Sequence, residues 1–181
     1  MMKKPAAAWT VLAAVLIFGT VFGSWRSLTG QRKTVTEAFY RGVDDSGYGI
    51  ATNLDLRVEY ARNLCKIAGD YDAAAEIQEV EDACRELETE DEFDDKYEAN
   101  QGLTAAVDAL DRTLQRQNLS QEDEDYRKSL MADLASYEMR IDKLASSFNA
   151  QARNFNDRVL GGFPAKLFGA LTDVEEVEEY A

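Results

Sequence analysis

Apolar and polar positions divide this chain into stretches of different rhythm. The first has none: 6–25, "AAAWTVLAAVLIFGTVFGSW", passes twenty residues without a charge. Unbroken apolarity of that length predicts a helix of ~30 Å, the thickness of a bilayer's hydrocarbon core. The polar stretch 31–41 continues as a helix with Val35, Ala38 and Phe39 on one side. "GVDDSGYG" (42–49) holds three glycines and two aspartates and reads as a loop.

Four periodic stretches follow. Ile50, Leu54, Val58, Ala61, Cys65 and Ala68 recur by threes and fours, as on one face of an amphipathic helix, and Gly69 ends or weakens it. Ala73, Ile77, Val80, Cys84 and Leu87 form a second stripe, and Leu103, Val107, Leu110 and Leu114 a third. Between these two, "ELETEDEFDD" (86–95) is too acidic to pack and reads as a solvated helix end and loop. The fourth stripe is the strongest: Tyr126, Leu130, Leu134, Tyr137, Ile141, Leu144, Phe148, Ala152, Phe155 and Val159. Ser120 with Asp123 resembles a capping box, so the pattern predicts a helix over 121–160, ~60 Å long. Gly161 and Gly162 suggest a left-handed cap, and Pro164 prevents the helix from resuming.

No strand-like alternation occurs, and the two prolines, Pro5 and Pro164, lie near the ends. The expected fold is all-α: an N-terminal transmembrane helix followed by an elongated antiparallel helical bundle with long helices. The expected organisation is an anchor at 1–30, a bundle at 31–172 and a mobile acidic C-terminal tail at 173–181. Phe163, Leu167, Phe168 and Leu171 would fold back as an apolar plug over one end of the bundle, a reading favoured over their dipping into the membrane.

Two readings of the first segment compete. Lys3 and Lys4 precede it, and Arg26, Arg32 and Lys33 follow; Trp9 and Trp25 sit where amphipathic rings prefer the interface. A cleaved signal peptide would carry an apolar run of about 7–15 residues and a small-x-small site, here near 21–23. The longer run favours an uncleaved single-pass anchor in the cell membrane. The basic residues are nearly balanced across the span, so the side holding the soluble bundle stays open.

Composition narrows the chemistry. A net charge of −14 argues against nucleic acid, whose phosphates it would repel. There is no histidine, which removes the commonest general base and metal ligand. Cys65 and Cys84 both fall on apolar stripes. If the chain turns near Gly69, they sit about eleven residues out of register, or ~16 Å. A disulfide needs Cα atoms within about 7 Å, so both are expected as free thiols.

The segment 44–55 invites comparison with an EF-hand loop. Asp44, Ser46 and Gly49 suit their positions, but Tyr48 is a poor ligand, Ala51 replaces an apolar anchor and Asp55 is shorter than the bidentate Glu. Asn149, Asn154 and Asn156 sit among aromatics on the last helix, where solvent exposure or ordinary backbone satisfaction is the expected role and a hydrogen bond to a neighbouring loop the alternative. These residues supply no catalytic, cofactor-binding or metal-binding set, and no cofactor or small-molecule substrate is implied.

The chain resembles the LemA family of bacterial membrane-anchored helical proteins. The resemblance rests on the apolar start, "VTEAF" (35–39), "NL" (63–64) and above all "FNAQARNFNDRVLGGFPAKLFGAL" (148–171). Arg57 and Arg62 are what remains of a basic patch that many members carry before the "NL" step. The resemblance implies a single-pass anchor, long bundled helices and no established enzymatic activity. The expected function is therefore a membrane-anchored structural or protein-interaction module, not an enzyme, that touches lipid through its first helix and an unknown protein through its bundle. A divalent-cation-binding protein or a regulatory subunit of a membrane-associated enzyme is the alternative.

Overall fold

The computed structural model describes residues 5–43, 47–162, 165–166 and 174–181, and they contain no strand. Five helices follow in order: α1 (Pro5–Arg41), α2 (Ile50–Ala68), α3 (Ala74–Thr89), α4 (Phe93–Leu114) and α5 (Gln121–Asn154). A π-helical turn, Phe155–Leu160, extends α5. The chain divides into two compact units, one of 1–36 with 151–177 and one of 37–150 with 178–181.

The periodic stripes became the helices of the second unit. The first stripe matches α2 at both ends. From the stripes, Leu54 and Ala61 of α2, Val80 and Cys84 of α3, Leu103 and Leu110 of α4, and Leu130 and Ile141 of α5 are all buried. α3 packs on both α2 and α4. α5 joins through its rings: Tyr137 meets Tyr60 of α2 with centroids 5.2 Å apart. Phe148 meets Phe93 of α4 edge-on at 5.3 Å. Fully buried Phe39 closes this cluster, stacked on Phe93 at 4.4 Å and edge-on to Phe148 at 5.6 Å. Burying each such ring contributes about 2–3 kcal/mol of transfer free energy.

The glycines of the first loop have two separate uses. Gly42 and Gly47 take φ of 83°, where a side chain is strained, and the Gly42 N–H closes α1 on the Ala38 carbonyl. At Gly49 the need is space: a Cβ there would lie 2.3 Å from the Phe39 carbonyl oxygen.

The predicted capping box at the start of α5 forms with an added relay. Ser120 Oγ accepts the Asp123 N–H at 3.1 Å, but the Ser120 N–H reaches Tyr71 Oη, which donates to Asp123 Oδ2 at 2.6 Å. A tyrosine from the α2–α3 connection thus completes the cap across 49 residues of sequence.

In the first unit, Leu28, Ala152, Phe155, Ala165 and Val177 are buried. The Arg32 Nε donates to the Glu175 carbonyl at 3.1 Å. The outward surface of 9–25 is different: Trp9 is 70% exposed, Phe18 76%, and Val15, Leu16, Ile17 and Phe22 also face out.

Several expectations are corrected. α1 runs unbroken through residue 30, so the helix expected over 31–41 is the continuation of the apolar one and not a separate element. Nothing in 26–31 obliges a helix to stop, since Gly30 is tolerated there. The acidic run 86–95 does pack, because Leu87 and Phe93 within it are buried. Tyr126 is exposed, so the α5 stripe starts effectively at Leu130. Gly161 has φ −72° and not a left-handed value, because the wide π turn already satisfies the Asn156 carbonyl with the Gly161 N–H. Its glycine is required by crowding, as a Cβ would stand 2.5 Å from the Asp157 carbonyl oxygen. The tail is not free, since Val177 and Tyr180 are buried. Phe163, Pro164, Leu167, Phe168 and Leu171, with the plug they were expected to form, lie outside the described residues.

Candidate functional site

The most unusual chemistry lies inside the second unit. Arg57, on α2, is only 2% exposed. Its Nη1 donates to Asn100 Oδ1 and its Nη2 to Thr104 Oγ1 at 2.8 Å, both on α4. The single Thr104 hydroxyl proton has two acceptors within reach, the Asn100 carbonyl at 3.1 Å and Glu138 Oε1 on α5 at 3.3 Å. Among the described residues the guanidinium makes no direct ion pair, and Glu138 is the strongest of the negative charges acting on it. Burial pulls the Arg57 pKa down, and the negative charges of Glu138, Asp142 and Asp108 work against that fall. Among the described residues Arg57 Nε and Tyr180 Oη are buried with no well-formed hydrogen bond, the phenol having only a loose approach to Asn100. Tyr180 lies near Asn100 and close enough to Arg57 for the cation to oppose the desolvation that pushes the phenol up.

The last residues of the sequence reach the same region. Asn149 Oδ1 accepts the Tyr180 N–H at 2.8 Å, and Asn149 Nδ2 donates to the Tyr180 carbonyl at 2.9 Å. Glu178 Oε2 accepts the Phe93 N–H at the start of α4, at 3.3 Å. Desolvation, reinforced by Glu92, raises the Glu178 pKa. In the first unit Asn156 makes the same two-way contact with Val177, at 2.9 and 2.8 Å. Two of the three singled-out asparagines thus serve a neighbouring segment, while Asn154 is exposed.

A cleft of ≈ 670 Å³ opens between α2 and α3, lined by Asp55, Glu59, Arg62, Lys66, Glu81 and Glu88 among others. Arg62 is committed there: it forks onto Glu88 at 2.6 and 2.8 Å and reaches Glu81 at 3.4 Å. Neither arginine of the expected basic patch is free for an anion, since one is buried and the other paired. Cys65 also lines the cleft, but burial pushes its thiol up to about 12, and that of Cys84 to about 11. Both are free thiols, protonated and weakly nucleophilic at neutral pH. Of the EF-hand-like segment, Tyr48 is exposed and Asp55 stands on the second turn of α2, while 44–46 lie outside the described residues.

In the first unit a groove of ≈ 510 Å³ runs beside Gly19, Gly23, Ser27 and Leu28, with Arg158 and Val159 opposite. A long cationic side chain beside the end of an apolar span can keep its head in water while its stem lies on apolar surface.

Sequence reasoning named Arg57 only as part of a basic patch and missed its burial, and it missed Asn100 altogether, although a signal was present. Arg57 falls three after Leu54 and four before Ala61, and Asn100 three before Leu103, both in helical register with buried positions. A polar residue on a core position was the clue. No family model, curated protein or solved structure matches the chain.

Proposed function

We propose that this chain is a single-pass, membrane-tethered interaction module, with α1 held in lipid and the remaining helices forming a bundle that meets protein partners. One observation carries the tether: α1 is long and apolar enough to cross a membrane, and only 6% of its apolar window is buried. A core helix of a soluble protein hides most of such a surface. An outward apolar cylinder of this size needs lipid or a partner to cover it.

Short connections at 69–73, 90–92 and 115–120 favour an antiparallel arrangement of α2 to α5, as the LemA resemblance implies. The acidic exterior, with a net charge of −14, favours basic partner surfaces and salt-sensitive association.

Alkaline carbonate extraction of membranes from cells expressing the full chain tests the tether. The chain is expected in the pellet, resisting both high salt and high pH. Release into the supernatant by carbonate would remove the tether from the proposal.

A further inference from the structure

Residues 178–181 occupy the second unit much as a ligand occupies a receptor. Glu178 supplies a carboxylate to the Phe93 N–H. Asn149 meets the main chain of Tyr180 with both ends of its amide. One amide reaches the N–H and the carbonyl of the same residue only where that residue is extended, as in a hydrogen-bonded β pair. The Tyr180 ring, 2% exposed, then enters an aromatic seat, 5.3 Å from Tyr97 and 5.8 Å from Phe39. Main-chain clamp, carboxylate acceptor site and aromatic slot are the three elements of peptide recognition.

The seat has a defect. Among the described residues Tyr180 Oη makes no well-formed hydrogen bond, only a loose approach to Asn100, and Arg57 Nε makes none. An unmade bond on a buried polar atom opposes the docked state, and undocking returns the phenol to water. A segment held by a few specific contacts and opposed by such a penalty is suited to exchange.

We propose that residues 37–150 carry a peptide-binding site, occupied in cis by 178–181, whose ligand in trans is an extended Glu-x-Tyr segment of a partner protein. The site deepens the interaction half of the proposed function and rests on it. It does not depend on where α1 resides, so the carbonate test and the test below fail separately.

The test titrates a fluorescent peptide of residues 174–181 into the full chain in detergent micelles, intact or shortened by 178–181, and reads anisotropy. Saturable binding to the shortened chain is expected, weaker by about tenfold or more on the intact chain, where the cis segment competes. Asn149→Ala in the shortened chain, or Tyr180→Ala in the peptide, is expected to weaken binding by about tenfold or more. Equal binding by the intact and shortened chains overturns the proposal. So does the absence of binding by a shortened chain that keeps its helical circular dichroism.

If shortening unfolds the chain, hydrogen exchange on the intact protein decides. The Tyr180 amide is expected to exchange about a hundredfold faster than those of Leu103 and Leu110, through local opening. An equal rate would make the segment a fixed part of the core and end the idea.

Discussion

α1 and α5 are of similar length, 37 and 34 residues, and use apolar side chains in opposite ways. Over its first half α1 is apolar on every side, and its large residues face outward. α5 is mostly polar, yet Leu130, Leu134, Ile141 and Phe148 at helical spacing are buried. Periodicity, more than the amount of apolar surface, decides which helix finds a partner within its own chain. A helix apolar on every side has no face suited to water.

The sharpest way to break this contrast is to truncate one ring in each helix. Phe148→Ala is expected to cost about 4 kcal/mol of stability, read from denaturant unfolding in micelles by circular dichroism. Phe18→Ala should leave that unfolding within about 0.5 kcal/mol of the parent. Equal effects would erase the distinction between the helices.

A charge placed in α1 probes the other side of the comparison. Leu16→Arg is expected to disfavour membrane insertion by about 3 kcal/mol, seen as loss from the carbonate-resistant pellet, with helical content unchanged.

The next effect belongs to α5 alone. Arg127 is buried and joins Asp111 of α4 to Glu124, with Nε and Nη2 on the two Glu124 oxygens at 2.9 and 3.0 Å. Arg127→Ala strands Asp111, whose side chain is only 13% exposed, and should cost about 2–3 kcal/mol. The same substitution should change the response to acid. The Arg127 guanidinium, with Lys128, holds the Glu124 carboxyl at about 2, below its ordinary 4.5. A depressed carboxylate stabilises the fold above its unfolded pKa and loses that contribution as pH falls, here between about 5 and about 2. Unfolding followed across that range should show a shallower slope in the variant. The smallest effect is at the cap: Ser120→Ala is expected to cost about 1 kcal/mol in the same assay.

Sequence periodicity was enough to place α2, α3, the second half of α4 and most of α5, because hydrophobic stripes report directly on which face is buried. The ends followed where chemistry was local, as at Ser120 and the Gly42 loop. What could not be read came from contacts distant in sequence. Phe93 looks solvated among its acidic neighbours until Phe39 stacks on it from 54 positions away. Glu178 and Tyr180 look like a charged tail until Asn149 engages them. Arg57 is the hardest case, because a lone arginine in a stripe reads as a surface residue until Asn100 and Thr104 are seen to receive it. Of the candidate site, then, the asparagines were legible as residues of interest, and their partners were not.

The two sheltered sulfurs have a further consequence. With thiols at about 12 and about 11, the reactive thiolate is about one part in ten thousand or less at neutral pH. Oxidants and alkylating agents can reach Cys84 only while the helices are parted. The rate of carbamidomethylation at Cys84 therefore becomes a clock for how often the helices part.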